Sequence, residues 1–309
     1  MTVAAAALAT VIVVGAAALQ SRGSTPERAS GTPPLLLDLG LRRDAEAERF
    51  RRAAAAYRQG RRAEAARMFA RSRSLNARVG LALARWPEGS IAGLEQLAAE
   101  NPRSALVRLN LGFALFWSGR REDAVAAWRA AGRVEPDSVS AVRADDLLHP
   151  SLARGLPSFL PGFPLPSALR RLSPSGLATL ERAARSGGVV RSKLALGVAY
   201  QRLGRPLSAL RQFDAAAALA PRDVEARVAA AVGRFDKDRP ERAFSRLGPL
   251  TRRYGRHPSV RYHLGLLLLW LGEVPEAREQ LEVAARDRAA VPGREAARVL
   301  ERLAPLEAG

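Results

Sequence analysis

Alanine stands at residues 209, 243 and 277, and around each copy other small and large residues return at the same offsets. The first copy reads Lys193-x2-Leu196-Gly197-x2-Tyr200, then Gly204, Ala209-x3-Phe213, Ala216 and Pro221. Moving on by 34 residues gives Ala230, Ala231, Arg234, Ala243, Leu247 and Leu250. A further 34 gives Leu264, Gly265, Leu268, Gly272, Ala277, Leu281 and Ala284. Such a period marks a repeat in which each unit is one supersecondary piece whose neighbours bury its apolar side. The middle copy departs from the pattern twice, with Arg234 in the aromatic place and Asp238 in the place of the turn glycine.

An earlier group carries the same marks. Leu111-Gly112-x2-Leu115, Gly119, Ala124-x3-Trp128, Ala131 and Pro136 make one clear copy. Leu81, Leu94, Leu97 and Pro102 make a weaker one, and Gly60, Ala65 and Phe69 another. The two groups are out of phase, because Pro136 and Pro221 lie 85 residues apart, two and a half periods. In the break lies HPSLARGLPSFLPGFPLPS, residues 149–167, whose prolines forbid regular helix.

The spacing resembles that of the tetratricopeptide repeat family, W-x2-L-G-x2-Y…A-x3-F…P, with only the leading tryptophan missing from the copy at Lys193. The resemblance covers about 240 residues. It implies an all-α helical-hairpin solenoid, in two arrays joined by the Pro-rich segment. Glycine or alanine lets the helices of a hairpin approach, and Phe213 and Leu281 fill the gap between units. Gly204 and Gly272 end first helices in the left-handed conformation, and Asp223 caps the next helix. The expected divisions are 1–20, an anchor or signal peptide; 21–43, a flexible linker; 44–148, the first array; 149–173, the Pro-rich connection; 174–291, the second array; and 292–309, a capping helix and tail.

The chain of 309 residues contains no cysteine, which removes disulfides, thiol catalysis and cysteine-based zinc sites. His149, His257 and His263 lack metal-ligand spacing, and no phosphate-binding glycine loop, HExxH or Gly-x-Ser-x-Gly elbow occurs. No cofactor and no enzymatic activity are expected. The formal net charge of +19 comes almost entirely from arginine. It is open to two readings: attraction to acidic proteins, anionic lipid or nucleic acid, or simply solvated helix faces. Basic residues are not concentrated at groove places, which argues against nucleic acid; a phosphate-binding protein would lose affinity steeply with salt.

Residues 2–19, TVAAAALATVIVVGAAAL, carry no charge and are just long enough for a membrane-spanning helix. They read as an uncleaved single-pass anchor, as a signal peptide with an Ala-x-Ala site at Ala16–Ala18, or as a core helix. Arg22 and Arg28 follow the segment and no basic residue precedes it, so an anchor would leave the body on the cytoplasmic side. A cleaved signal would make the body a secreted soluble protein.

In the tetratricopeptide family the concave face is lined by first-helix places 2, 5, 9, 12 and 13, and members typically bind partner proteins or peptides there. Carried to this chain, those places hold Leu106, Leu109, Phe113, Phe116 and Trp117. In later units they hold Arg191, Leu194, Val198, Gln201 and Arg202, and then Ser259, Tyr262, Leu266, Leu269 and Trp270. The Lys/Asn/Arg set with which the family clamps acidic tails is absent. Aromatics at helical spacing read equally as core. Leu156, Phe159, Leu160, Phe163 and Leu165 are poor solvent-facing residues. The segment 155–166 is therefore expected either to dock on the Phe113, Phe116 and Trp117 surface or to be a disordered linker.

Overall fold

The computed structural model describes residues 31–186 and 189–304, and the regular structure among them is entirely helical. The segment expected to be an anchor or signal lies outside the described residues, as does the tail after Ala304. No helix among the described residues is long and apolar enough to cross a membrane.

The chain divides into two compact units at Leu148 and His149. The first holds α1 (Ala45–Arg58), α2 (Arg62–Phe69), α3 (Leu75–Ala84), α4 (Ser90–Glu100), α5 (Ala105–Trp117), α6 (Arg121–Val134) and α7 (Val139–Leu148). The second holds α8 (Ser167–Arg170), α9 (Pro174–Arg185), α10 (Val190–Arg202), α11 (Pro206–Leu219), α12 (Val224–Val232), α13 (Glu241–Arg253), α14 (Pro258–Leu271), α15 (Val274–Ala285) and α16 (Val291–Leu303). Each is a run of helical hairpins in which successive helices pack on one another. The half period is accounted for. α7 is a first helix without its second, α9 a second helix without its first, and the Pro-rich segment lies between them.

Close approach holds each hairpin shut. A Cβ built on Gly112 of α5 would lie 2.2 Å from the Trp128 indole of α6. One on Gly197 of α10 would lie 2.2 Å from the Phe213 ring of α11. One on Gly265 of α14 would meet Leu281 of α15 at 2.8 Å. The bulky residue thus seats on the glycine of its own hairpin. It also reaches the next unit, since Phe213 lies 3.0 Å from a Cβ built on Gly233. Ala124, Ala209, Ala243 and Ala277 share one environment, buried to 1% exposure or less. Gly204 and Gly272 have φ of +64° and +82°, the conformation expected of residues that end first helices. Asp223 caps α12 by accepting from the Ala226 N–H at 2.8 Å.

The degenerate middle copy has local compensations. Arg234 pairs with Asp214 of α11 through both guanidinium nitrogens, at 2.5 and 3.0 Å. The last helix, α16, buries Ala296, Val299 and Leu303 and exposes Arg294, Arg298 and Glu301, as a terminal cap should.

Gly197→Ala must push the Phe213 ring aside and is expected to destabilise by about 1–3 kcal/mol. Gly132→Ala, at a place in α6 with open space around it, should be neutral or stabilise by up to about 1 kcal/mol. Thermal unfolding of the two variants beside the wild-type chain checks the contrast.

Candidate functional site

In each unit the first helices turn one face away from the second helices, and in each unit that face is covered by the chain's own irregular backbone. In the first unit the cover is residues 32–40. Tyr57 of α1 donates its hydroxyl to the Pro33 carbonyl at 2.7 Å, and burial pushes its phenol up to about 12. Asn110 of α5 accepts from the Leu36 N–H at 3.1 Å and donates to the Leu36 carbonyl at 2.9 Å. Asn76 of α3 does the same to Asp38, at 2.9 and 2.8 Å. Both amides therefore read backbone, at alternate residues of the strap. Leu35 is buried in the unit's core, with Leu36, Leu37 and Leu39 partly buried against it. Sequence reasoning expected a flexible linker over 21–43. Its described part is instead a packed element, because its leucines have an apolar helix face to cover.

In the second unit the cover is the Pro-rich segment. Phe159, 2% exposed, lies edge-on to Phe213 at 5.6 Å between centroids and stacks on His263 of α14 at 5.2 Å. Gln201 of α10 accepts from the Phe159 N–H at 3.0 Å and donates to the Pro157 carbonyl at 3.5 Å. Trp270 of α14 donates to the Gly155 carbonyl at 3.4 Å. Farther along, Gly162 donates its N–H to Glu225 of α12 at 2.9 Å, and Arg191 of α10 lies 5.4 Å from the centre of the Phe163 ring. This corrects the expectation of docking on Phe113, Phe116 and Trp117. The segment fills the groove of the array that follows it, where His263 and Gln201 supply the polar partners its backbone needs.

His263 is fully buried. Its Nδ1 lies 2.6 Å from the Ser259 carbonyl, an acceptor only, so Nδ1 carries the proton. Nε2 is then free to accept from the Leu160 N–H, at 2.9 Å. Burial lowers the imidazole to about 4, because the charged form would be both desolvated and unable to accept that bond. Burial also pushes the Glu225 carboxyl up, while the Gly162 and Ser259 donors pull the other way. At the start of the strap, His149 Nε2 lies 2.8 Å from Asp238, the residue that replaced the turn glycine.

The family-derived places are sorted by these contacts. Arg191, Gln201 and Trp270 touch the strap directly. Leu194, Val198, Leu266 and Leu269 are buried in the same core as Phe159. Tyr262, 3% exposed, meets the His263 ring edge-on at 5.0 Å, and burial pushes its phenol up. Leu106, Leu109 and Phe113 are core residues of the first unit, with Phe116 and Trp117 partly buried against them. Those aromatics form one cluster with Trp128, which lies 6.0 Å from Phe113 and 5.8 Å from Phe116. Asn76, Asn110 and His263 were missed. They share the sixth place of their units, and the signal was present, since Asn76 and Asn110 are 34 residues apart, each in a helix whose only other polar residue is an arginine, Arg78 or Arg108. Among the described residues no group of His, Asp or Glu is placed to hold a metal ion.

No family model matches the chain, and no curated protein matches it. Among solved structures it is similar to TTC0263, a thermophilic tetratricopeptide protein of Thermus thermophilus. That similarity has 22% identity and a TM-score of 0.28, and covers 61% of this chain and 98% of that one. It is similar to a tetratricopeptide repeat protein of Parabacteroides merdae, at 13% identity and TM-score 0.36, over 83% of this chain and 98% of that one. It is also similar to yeast Tom70, at 14% identity and TM-score 0.32, over 83% of this chain and 65% of that one. The helix pairs, the 34-residue period and the glycine seats make the fold tetratricopeptide-like.

Asn110→Ala strands the Leu36 N–H and carbonyl and should cost about 1–3 kcal/mol. Trypsin should then cut after Arg42 and Arg43 faster than in the wild-type chain. His263 gives a pH signature. An unfolded chain takes up its proton near 6.5 and the folded one resists until about 4. Relative to a His263→Gln variant, the wild-type chain should therefore lose stability as pH falls from 6.5 to 4, by at most about 1.4 kcal/mol per pH unit. The two should run parallel above 7. Urea unfolding of both proteins across that range checks the sign.

Proposed function

We propose that the protein is a non-enzymatic interaction scaffold whose first-helix grooves bind an extended segment of a partner protein. The observation that supports this reading is the straps themselves. Asn76, Asn110, Gln201 and His263 bond to main-chain groups of irregular chain, a recognition that any extended peptide could use. The reading includes a tether, with residues 2–19 as a single-pass anchor and the body on the cytoplasmic side, supported by the uncharged run and the arginines after it.

A photo-cross-linking residue in place of Arg191, beside the strap, tests the groove in the native host. It should give a protein adduct that the same residue in place of Leu219, exposed on a second helix, does not. No adduct, or equal adducts, would remove the groove from the reading. The tether is tested separately. The full chain should stay with membranes through carbonate washing, and a chain lacking residues 1–20 should not.

A further inference from the structure

The strap of the second unit is held by its backbone as well as by apolar packing. Its Ala153 and Phe159 N–H groups and its Gly155 and Pro157 carbonyls meet Trp270 and Gln201 at 3.0–3.5 Å. Leu160 and Gly162 donate to His263 and Glu225, both at 2.9 Å. Only Phe159 among its large side chains is fully enclosed, while Leu156, Leu160, Phe163 and Leu165 are partly buried. Beyond Gly162 and Phe163 the groove continues as an open cleft of about 410 Å³, floored by Leu194, Ser259 and Pro292. Asp223, Glu225 and Asp287 border it, with the guanidinium of Arg191 and the imidazole of His257.

We propose that residues 155–163 are a displaceable occupant of this groove, and that the ligand replacing them is an extended protein segment. That segment carries an aromatic side chain for the seat of Phe159 and a basic residue four positions later for the cleft. The inference rests on the reading of the groove as a peptide site and names the peptide. Gln201, His263 and Glu225 would receive the main chain of such a segment as they receive the strap. The aromatic is required because Phe213 and the His263 ring enclose one planar group. The basic residue follows from the border of the cleft. Three carboxylates there face Arg191 and the His257 imidazole, in a chain whose net charge is +19. It also supplies the advantage an incoming segment needs. The strap is covalently attached and competes at an effective concentration on the order of millimolar. A contact the strap does not make must tip the exchange, and the open cleft provides both that contact and a place to begin. Burial already disfavours the charged form of Glu225, which a cation would relieve.

A fluorescent peptide with the sequence of residues 154–164 and the change Phe163→Arg is titrated into three full-length proteins, and its anisotropy is read. The expected result is weak binding to the wild-type chain and binding at least tenfold tighter to Phe159→Ala, whose own strap has lost its anchor. Adding Glu225→Gln should abolish the preference for the arginine peptide over the unsubstituted one. Equal affinity for the wild-type and Phe159→Ala chains would overturn displacement while leaving peptide binding by the groove intact. No binding to a Phe159→Ala chain that melts cooperatively would overturn the inference, and an adduct from position 191 would still stand for the broader reading. Should Phe159→Ala not fold, hydrogen exchange on the wild-type chain decides. Saturating peptide should strip protection from the Phe159, Leu160 and Gly162 amides, and unchanged protection would overturn the exchange.

Discussion

Three of the hairpins close on the same contact, a bulky side chain of the second helix set where the first helix carries only a hydrogen atom. Trp128 on Gly112, Phe213 on Gly197 and Leu281 on Gly265 leave no room for a methyl group. The contact does more than join two helices. It fixes which face of each first helix is used inside the hairpin and so which face is left over. The leftover face is not polar. Leu106 and Leu109 in one unit, and Leu194, Val198 and Leu266 in the other, sit where a bare solenoid would show them to water. Something apolar has to lie over them, and in each unit the preceding stretch of chain does so.

A strap of this kind raises a backbone problem. It runs outside any helix or sheet, yet parts of it are buried, and buried N–H and carbonyl groups need partners. The first helices supply them from a few polar side chains set among apolar neighbours. Asn110 is wholly buried and directs both ends of its amide to the same strap residue, Leu36. His263 is wholly buried and neutral, with one nitrogen committed to its own helix and the other to the strap. In an emptied groove water could bond these groups, but the leucines around them would lose their apolar cover. The groove therefore favours an occupant, whether its own chain or another.

Much of the fold was legible in the sequence. The period is set by packing between residues less than 40 apart, so Ala209, Ala243 and Ala277, or Gly204 and Gly272, reveal it without coordinates. The departures at Arg234 and Asp238 were visible too, but not their reasons, which are the partners Asp214 and His149. The site was legible in part. Gln201, Arg191 and Trp270 were found from family places, while Asn76, Asn110 and His263 lie at a place that scheme omits. The Pro-rich segment was recognised as unsuited to solvent, but its groove was assigned to the wrong array. Apolar content says that a segment must be covered, and says nothing of which surface covers it.

The sequence by itself determined the helical hairpins, their turns and the seats that join them, because each depends on small and large residues at fixed short spacings. Only the tertiary structure decided that the grooves are occupied and by which stretches of chain. The bonds that hold the straps span 74 residues in one unit and 103 in the other. They end on main-chain atoms, which nearly every residue possesses, so these bonds leave little mark in the strap sequences of where they belong.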